Sequence, residues 1–445
     1  MKKTLISLAT ASLIASTAMA ADKGVDLDVT GQAVIYYETQ TDNHASNADD
    51  IFDKDASAAN IGVQLNIDGD LGNNFTLGSQ LSYLGTAGIE KNLVSDTKQD
   101  STQSLNNDTT SQLMLSKIFI AKKVANTTVK IGRQELPKSL SPLAFSEDWN
   151  VFKNTFDAIL AVNSDIPDTT LVAAYVTAAN ATTNLGGGSY SNMTDLRAGG
   201  PKGFEVNGGA YMLTIANKSV PMTAITASYY HLSQINMDNS TTDGIRNSRL
   251  EGYAGATTGD SADAVWLDVK IKDKSLPMGL CVGLQAGSIM VDLDSAPAAD
   301  DTTAFGIKVG IKPIDALALS VAYSTVDDGA VGIKNTGTGI KTPLFTQMVY
   351  NQNAIASDND TVVAKAVYKM GDFGKIVAQY GMTSDNSDAS NDYDEADLLY
   401  IVKAGNVKYF AGLMSVSADD AGAANIIGSD ADSDTKFRVW ARYAF

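Results

Sequence analysis

The chain ends in Lys436-Phe437-Arg438-Val439-Trp440-Ala441-Arg442-Tyr443-Ala444-Phe445, a stretch that alternates without interruption. Phenylalanine, valine, alanine and tyrosine take every second position, and lysine, arginine and tryptophan take most of the others. Side chains of a β-strand point to opposite faces with a period of two. The stretch therefore predicts a strand with one apolar and one mostly cationic face, which finishes on an aromatic residue.

Such a strand suits a membrane barrel, because its apolar face can meet lipid while its polar face meets water. The ending resembles the C-terminal assembly signal of bacterial outer-membrane proteins, which typically finish in phenylalanine. The resemblance implies that Tyr443 and Phe445 are recognised by the barrel assembly machinery. A secreted β-sandwich can also end on an amphipathic strand, so this alternative stays open here.

The first twenty residues have the pattern of an export signal. Lys2 and Lys3 precede an uncharged, mostly apolar run from Leu5 to Ala15, and Ala18-Met19-Ala20 matches a cleavage site. We expect the mature chain to begin at Ala21. No later apolar run is long enough for a transmembrane helix. A soluble periplasmic or secreted protein is the alternative that this signal alone would favour.

Composition narrows the class of protein. The chain has 445 residues and a formal charge of −18, and removal of residues 1–20 makes the charge −20. A chain this acidic, without a basic patch, is not expected to bind nucleic acid. Its one cysteine excludes an internal disulfide. A hydrophobic content of 44% is low for a helical membrane protein and suits a barrel in which lipid-facing and water-facing residues alternate.

Short and long connections alternate along the chain. Short turns are expected near residues 69–74, 124–128, 163–169, 217–220, 273–277, 313–316, 371–374 and 404–406. Long connections are expected near 39–58, 84–112, 135–154, 178–205, 233–262, 291–302, 327–360, 384–395 and 417–434. Outer-membrane barrels combine short periplasmic turns with long extracellular loops. We therefore predict an all-β fold, a transmembrane antiparallel β-barrel of about 18 strands (16 is the alternative), formed by residues 21–445 as one domain.

A barrel of this size leaves an aqueous channel. We therefore expect an outer-membrane porin for passive diffusion of ions and small hydrophilic solutes. A substrate-specific channel and a surface adhesin or structural barrel are the alternatives. An enzyme is not expected, because His44 and His231 are the only histidines and no catalytic arrangement can be assigned from spacing.

Two acidic stretches, residues 49–55 and 384–395, could supply oxygen ligands for calcium. Neither has the residue order of an EF-hand loop, with its central glycine and terminal glutamate. A solvated surface loop is the main expectation for both stretches, and loop calcium is the alternative. No cofactor is expected.

The third long loop, about residues 135–154, is less polar than the other long loops. It contains Pro137, Pro142 and several apolar residues. A loop of that composition should pack against something, and the inner barrel wall is the nearest surface. The alternative is a loop folded over the external rim.

Three runs around this loop resemble the corresponding loop of OprD-like and Campylobacter-type major outer-membrane porins: Gly132-Arg133-Gln134-Glu135-Leu136, Ser141-Pro142-Leu143 and Asn154-Thr155-Phe156-Asp157-Ala158. The resemblance implies an eighteen-stranded homotrimer whose third loop folds inward as the constriction. Arg133 shares the parity of Ile131 and should face lipid, unless Gly132 forms a bulge or Arg133 lies beyond the membrane edge.

Candidate pore-lining residues fall into two groups. The loop and its flanks supply Arg133, Glu135, Glu147, Asp148 and Lys153. The polar faces of later strands supply Lys365, Lys403, Lys408, Arg438 and Arg442, which are simply wet lumen residues in the alternative reading. Because the acids lie on the loop expected to form the narrowest point, the pattern predicts a mild preference for cations.

The segment Ile118-Phe119-Ile120 is apolar on both strand parities. If this wall packs against a neighbouring barrel, Phe119 should form part of the contact between subunits. The alternative is a phase slip near Ser116-Lys117, which would exchange the faces of the strand.

Overall fold

A computed structural model describes residues 26–41, 50–99, 112–180, 196–198, 203–237, 259–294, 296–386, 392–418 and 433–445. The predicted signal peptide, its cleavage site and His44 lie outside these residues, as do Asp49 and residues 387–391 of the two acidic stretches. Among the residues that the structure describes, no helix is long and apolar enough to cross a membrane.

Eighteen strands form one closed antiparallel barrel, in which each strand pairs with the next and the first pairs with the last. The barrel strands are β1 (Asp26–Gln40), β2 (Ser57–Gly72), β3 (Phe75–Gly85), β4 (Gln112–Val124), β5 (Thr127–Gln134), β6 (Phe156–Asn163), β7 (Thr169–Ala179), β10 (Ala210–Asn217), β11 (Thr223–Ser233), β13 (Ser261–Lys272), β14 (Cys281–Asp292), β15 (Thr302–Ile314), β16 (Leu317–Val326), β17 (Asn359–Lys369), β18 (Lys375–Asp385), β19 (Tyr393–Ala404), β20 (Val407–Ala418) and β21 (Ser433–Ala444).

Minor elements lie in the connections. Strands β8 (Leu196–Ala198), β9 (Phe204–Val206) and β12 (Ile235–Met237) form a separate three-stranded sheet in two of the long connections. Short 3₁₀ helices span Ile89–Lys91, Pro277–Gly279 and Gly371–Phe373. The predicted all-β barrel and its strand number are confirmed, and each predicted short turn falls between two paired strands.

The outer face of the barrel is apolar, whereas the inner face carries many polar side chains beside apolar clusters that pack against the inward loops. Ile35 and Ile131 are 61% and 55% exposed on the outside. Inside, Gln64 donates to Gln80 (3.1 Å), and Ser82 lies 2.6 Å from Ser116. Outward tyrosines near the ends of the strands that lead into long connections form a belt typical of a membrane interface. They are Tyr37, Tyr83, Tyr175, Tyr229, Tyr323 and Tyr380.

A β-bulge in β4 exchanges the faces of that strand. Lys117 pairs with Gln80 and Leu115 pairs with Leu81, so Ser116 is the extra residue. Beyond it Phe119 points into the barrel, where its ring fills the notch left by Gly78 and lies 4.0 Å from the Lys130 ammonium. The expectation that Phe119 forms an outer contact between subunits is therefore wrong, and the phase slip occurs instead.

Candidate functional site

The third long connection, here called L3 (residues 135–155), lies against the inner barrel wall. Val151 and Phe152 are buried among apolar side chains of β1, β3 and β4. The Phe152 ring occupies the space beside Gly62 on β2, where a Cβ atom would lie 2.6 Å from it. From β21, the Arg442 guanidinium donates to the carbonyls of Asn150 and Val151, both at 2.7 Å. L3 therefore folds into the lumen and is anchored along the wall that β21 and β1 to β4 form.

A second connection, here called L7 (residues 327–358, between β16 and β17), also lies inside the barrel. Its backbone and side chains are tied to three strands. Gln285 on β14 donates to Pro343 O (3.0 Å), the hydroxyls of Ser324 and Thr346 lie 2.6 Å apart, and the N–H of Val349 donates to Glu395 on β19 (2.9 Å). The inward position of L7 was not predicted.

The sequence does contain a signal for L7. Residues 329–357 carry two lysines and no acidic residue, whereas each of the other long connections contains at least one acidic residue. A 29-residue stretch without a carboxylate in so acidic a chain indicates burial, because a solvated loop in this protein has no need to exclude carboxylates. Length and position alone had placed L7 among the external loops.

L3 and L7 are joined to each other by hydrogen bonds. Asn335 accepts from the N–H of Phe145 (2.9 Å) and donates to its carbonyl (2.8 Å), and the N–H of Thr336 donates to Leu143 O (2.8 Å). Lys138 reaches from L3 to Thr342 O (2.8 Å). The two loops therefore form one layer across the lumen, which narrows the space open to solutes.

A cavity of about 1000 Å³ lies on the short-turn side of this layer. L3 and L7 line its upper part, and residues 164–170 at the turn between β6 and β7 line its lower part. Five lysines face it, against two aspartates. The lysines are Lys138, Lys218, Lys270, Lys308 and Lys365, and the aspartates are Asp168 and Asp268. Among the described lining residues, only Lys270 has an ion pair within the lining, with Asp268 at 2.9 Å. The cavity is therefore electropositive.

Glu147 does not face the pore, contrary to expectation. It is 2% exposed and accepts hydrogen bonds from the Asn335 side chain (2.8 Å), the Thr338 hydroxyl and the backbone N–H of Lys341 (3.0 Å). Its other carboxylate oxygen accepts from the Trp149 indole (2.5 Å). The carboxylate can be buried because these four donors replace the water that would otherwise hydrate it. Glu147 therefore joins L3 to L7.

The two other acidic residues of L3, Glu135 and Asp148, differ in whether their charge is free to attract cations. Glu135 is paired with Lys117 (2.8 Å) and Lys153 (3.3 Å). Burial opposes ionisation of Glu135, but these two ammonium groups outweigh it and lower the pKa of the carboxyl. Asp148 is exposed. Of the three acids expected to give cation preference, one is buried and one is paired with two lysines.

Arg133 lies on the outer side of the barrel. It shares the outward parity of Ile131 and pairs with Asp157 on β6, at 3.1 Å. Its guanidinium also donates to Leu115 O (3.1 Å) beside the bulge of β4. The backbone of Gly132 has φ = 124°, but the strand pairing continues without a shift, so Arg133 keeps its face. The assignment of Arg133 as pore-lining is therefore wrong.

The basic residues expected on the barrel wall have two different roles: the arginines hold the inward loops, and the lysines face the lumen or its mouth. Arg438 is 4% exposed, is paired with Glu38 at 2.5 Å and donates to the Tyr350 hydroxyl of L7 (2.8 Å). Together with Arg442, which holds L3, it serves as an anchor. Lys365 lines the cavity. Lys403 and Lys408 are exposed partners across the short turn at residues 405–406 and lie at the mouth on that side.

Lys138 is the titratable side chain of the cavity most affected by its surroundings. The residue as a whole is exposed, while its ammonium donates to Thr342 O and lies 4.8 Å from the centre of the Phe145 ring. Burial lowers the pKa of Lys138 to about 8, against the opposing effect of Glu147 and Asp268. Sequence spacing gave no indication of this residue, because it lies in a loop without periodicity.

The remaining sequence candidates lie apart from the cavity. His231 is on the outer face near the end of β11, with its Nδ1 2.9 Å from Asp263. Within the described residues, no group of three or more histidine, cysteine, aspartate or glutamate side chains is arranged to hold a metal ion. Calcium binding by the two acidic stretches stays a prediction, because each lies partly outside those residues.

Comparison with known proteins gives a consistent fold. The barrel is similar to the crystal structure of Pseudomonas aeruginosa OccK8 (OprE), with a TM-score of 0.67 at 13% identity over 94% of this chain and 98% of that one. It is similar to the crystal structure of Acinetobacter baumannii OccAB2, with a TM-score of 0.66 at 15% identity over 94% of this chain and 98% of that one. It is also similar to P. aeruginosa OpdK, which was solved with vanillate, with a TM-score of 0.66 at 14% identity over 94% of this chain and 98% of that one.

No protein-family model matches the sequence, and no curated protein matches it either. At identities this low, the similarity to OccK8, OccAB2 and OpdK establishes the fold. The chain therefore shares the barrel fold of these proteins over 94% of its length.

Proposed function

We propose that the protein is an outer-membrane porin, a water-filled channel for passive diffusion of ions and small hydrophilic solutes. The observation that carries the proposal is the electropositive cavity of about 1000 Å³ inside a closed, outwardly apolar barrel. Barrels of roughly 16 to 18 strands leave an aqueous channel. An outer membrane is the fitting location, because only lipid covers such an outer face favourably, and the predicted export signal agrees with it.

Solute entry into liposomes tests this proposal. The purified barrel should admit a small neutral sugar into liposomes that the same sugar does not enter without protein. Heat-denatured protein serves as the control, because it keeps the composition and loses the lumen. An adhesin or structural barrel would leave the liposomes as tight as protein-free ones, and that result would contradict a porin.

We further infer that the channel prefers anions, which replaces the expected cation preference. That expectation rested on Glu135, Glu147 and Asp148, of which Glu147 is enclosed and Glu135 is bound by two lysines. Five lysines and two aspartates line the cavity. A concentration of one sign of charge within low-dielectric walls raises the local concentration of the opposite ion.

A substrate-specific channel for small organic anions is the second candidate. The lysine-rich cavity favours it, and OpdK, which shares the fold, was solved with the anion vanillate. The two candidates differ in their kinetics. Flux through a general porin rises in proportion to the concentration of the anion, whereas flux through a specific channel saturates.

We also propose assembly as a homotrimer and recognition of Tyr443 and Phe445 by the barrel assembly machinery. The resemblance of L3 to OprD-like and Campylobacter-type porins supports the trimer. The exposed terminal aromatic side chains on the outer face support the recognition signal. Migration of the unheated protein at three times the barrel mass would support the trimer, and a monomer in mild detergent would contradict it.

A further inference from the structure

The segment 335–341 of L7 is shaped around one carboxylate of L3. Asn335, Thr338 and the N–H of Lys341 all point to the same oxygen of Glu147, and the chain turns between them. The turn closes with a hydrogen bond from the N–H of Gly339 to Asn335 O (2.8 Å), and Gly339 has φ = 70°. Glycine adopts this left-handed conformation without the strain that other residues meet.

A second observation shows that this segment is built to dock. Gly337 lies so close to the Phe156 ring of β6 that a Cβ atom would be 2.4 Å from it. Any larger residue would hold L7 away from the wall and from L3. The site therefore needs glycine for close approach at residue 337, independently of the hydrogen bonds to Glu147.

The Glu147 carboxylate differs from the other contacts between L3 and L7 because it gathers several donors of L7 at one group. A buried carboxylate is stable only when donors surround it, and three of the four donors to Glu147 come from L7. Removal of its charge would weaken all three together. The far end of the loop would stay attached, because Val349 and Tyr350 donate to Glu395 on the barrel wall.

We propose that Glu147 is a positioning residue of the pore, the latch that keeps L7 docked on L3. This rests on the proposed function as a channel. In the docked state the two loops form one layer above the cavity and define a single conducting level. Release frees residues 335–341 to move while the following part of L7 stays attached to Gln285, Ser324 and Glu395, so that the channel visits other conducting levels.

Single-channel recording of Glu147→Gln tests the latch. We expect about a tenfold rise in the fraction of time spent away from the main level, equivalent to about 1.4 kcal/mol. The matched control is Asp315→Asn, which makes the same change of charge in the exposed turn between β15 and β16. It should record like the wild type.

A variant on the L7 side makes the test specific. Thr338→Val removes one donor without changing charge or shape greatly, and should give a smaller effect in the same direction. The double variant should exceed Glu147→Gln only slightly, because both changes break the same contact. Wild-type traces for both single variants, or a double variant in which their effects add fully, would overturn the proposal. If Glu147→Gln does not assemble, Thr338→Val decides alone.

A failure of the channel function is distinguishable from a failure of the latch. If the wild type carries no current, the porin proposal fails. The latch is then read by trypsin, which should cleave after Lys341 in Glu147→Gln and not in Asp315→Asn. Equal resistance of the two variants would overturn the latch.

Discussion

Three buried carboxylates organise the lumen at the scale of single residues. Glu38 binds the ammonium of Lys98 and the guanidinium of Arg438, both at 2.5 Å. Glu147 joins L3 to L7, and Glu395 holds two backbone N–H groups of L7. Each carboxyl group accepts hydrogen bonds from several donors, as a buried polar group requires. None of the three is free to attract solutes, so the sign of the lumen is set by the lysines below them.

The terminal residue fits a notch that one glycine provides. Phe445 exchanges two backbone hydrogen bonds with Gly31 (2.7 and 3.0 Å), and its ring would lie 2.5 Å from a Cβ atom there. Gly31→Val should therefore displace the ring and destabilise the folded barrel by about 1–3 kcal/mol, as at other overpacked sites. The amount of heat-resistant barrel should fall as a result. Phe445→Ser should act in the same direction.

The comparison is a gel of unheated outer-membrane fractions. Val29→Ala, on the same strand and face two residues away, serves as the control, because it shortens a side chain without entering the notch. Normal barrel levels for Gly31→Val and Phe445→Ser would show that the closing contact is not needed for assembly.

Lys138 should make the channel sensitive to alkaline pH. Because burial lowers the pKa of Lys138 to about 8, the residue is mostly charged at pH 7 and mostly neutral at pH 9. The cavity then loses positive charge, and anion preference should fall over this interval. Reversal potentials at the two pH values measure the change. In Lys138→Met the preference should be lower at both values and nearly constant between them. An unchanged pH response in this variant would contradict the assignment.

L7 is the element that carries most of the inner layer, and its far end depends on Glu395. Glu395→Ala leaves the N–H groups of Val349 and Tyr350 unpaired, at about 1–3 kcal/mol for each buried donor. Lys334 is buried in the native loop. We expect trypsin to cleave Glu395→Ala after Lys334 or Lys341 while the barrel remains heat-resistant.

The matched control for this prediction is Asp394→Ala. Asp394 is the neighbouring residue of β19 and points outward, where it accepts from the Tyr380 hydroxyl. Its loss removes the same charge without touching L7. Equal cleavage of the two variants would mean that L7 is not held by Glu395.

Strands could be predicted from the sequence far better than the lumen. The period of two and the alternation of short and long connections fix each strand, since lipid outside and water inside leave little freedom. The bulge at Ser116 appeared as a conflict of parity at Phe119. Glu147 and Lys138 lie in a loop, where no period indicates direction, and the partners of Glu147 are nearly 200 residues away in the chain. Such pairings depend on the closed barrel, so local sequence does not reveal them.

At the scale of the whole molecule, charge is separated by depth. The chain carries a formal charge of −18, and much of the acid lies in long connections such as residues 42–55. The cavity beneath L3 and L7 has the opposite sign. The narrow part of a pore dominates its selectivity, and charges at a wide mouth are screened within about 10 Å at 0.1 M salt. Because L3 and L7, which narrow the lumen, also line the upper part of the basic cavity, this cavity should determine which ions pass.

Single-channel current across a potassium chloride gradient tests this account most directly. The account predicts discrete current steps and a reversal potential of the sign that chloride preference gives, strongest at low salt. Replacement of Lys308 and Lys365 together by glutamine should move that potential towards zero. Absence of current steps in the wild type would contradict a channel, and potassium preference at low salt would contradict control by the basic cavity.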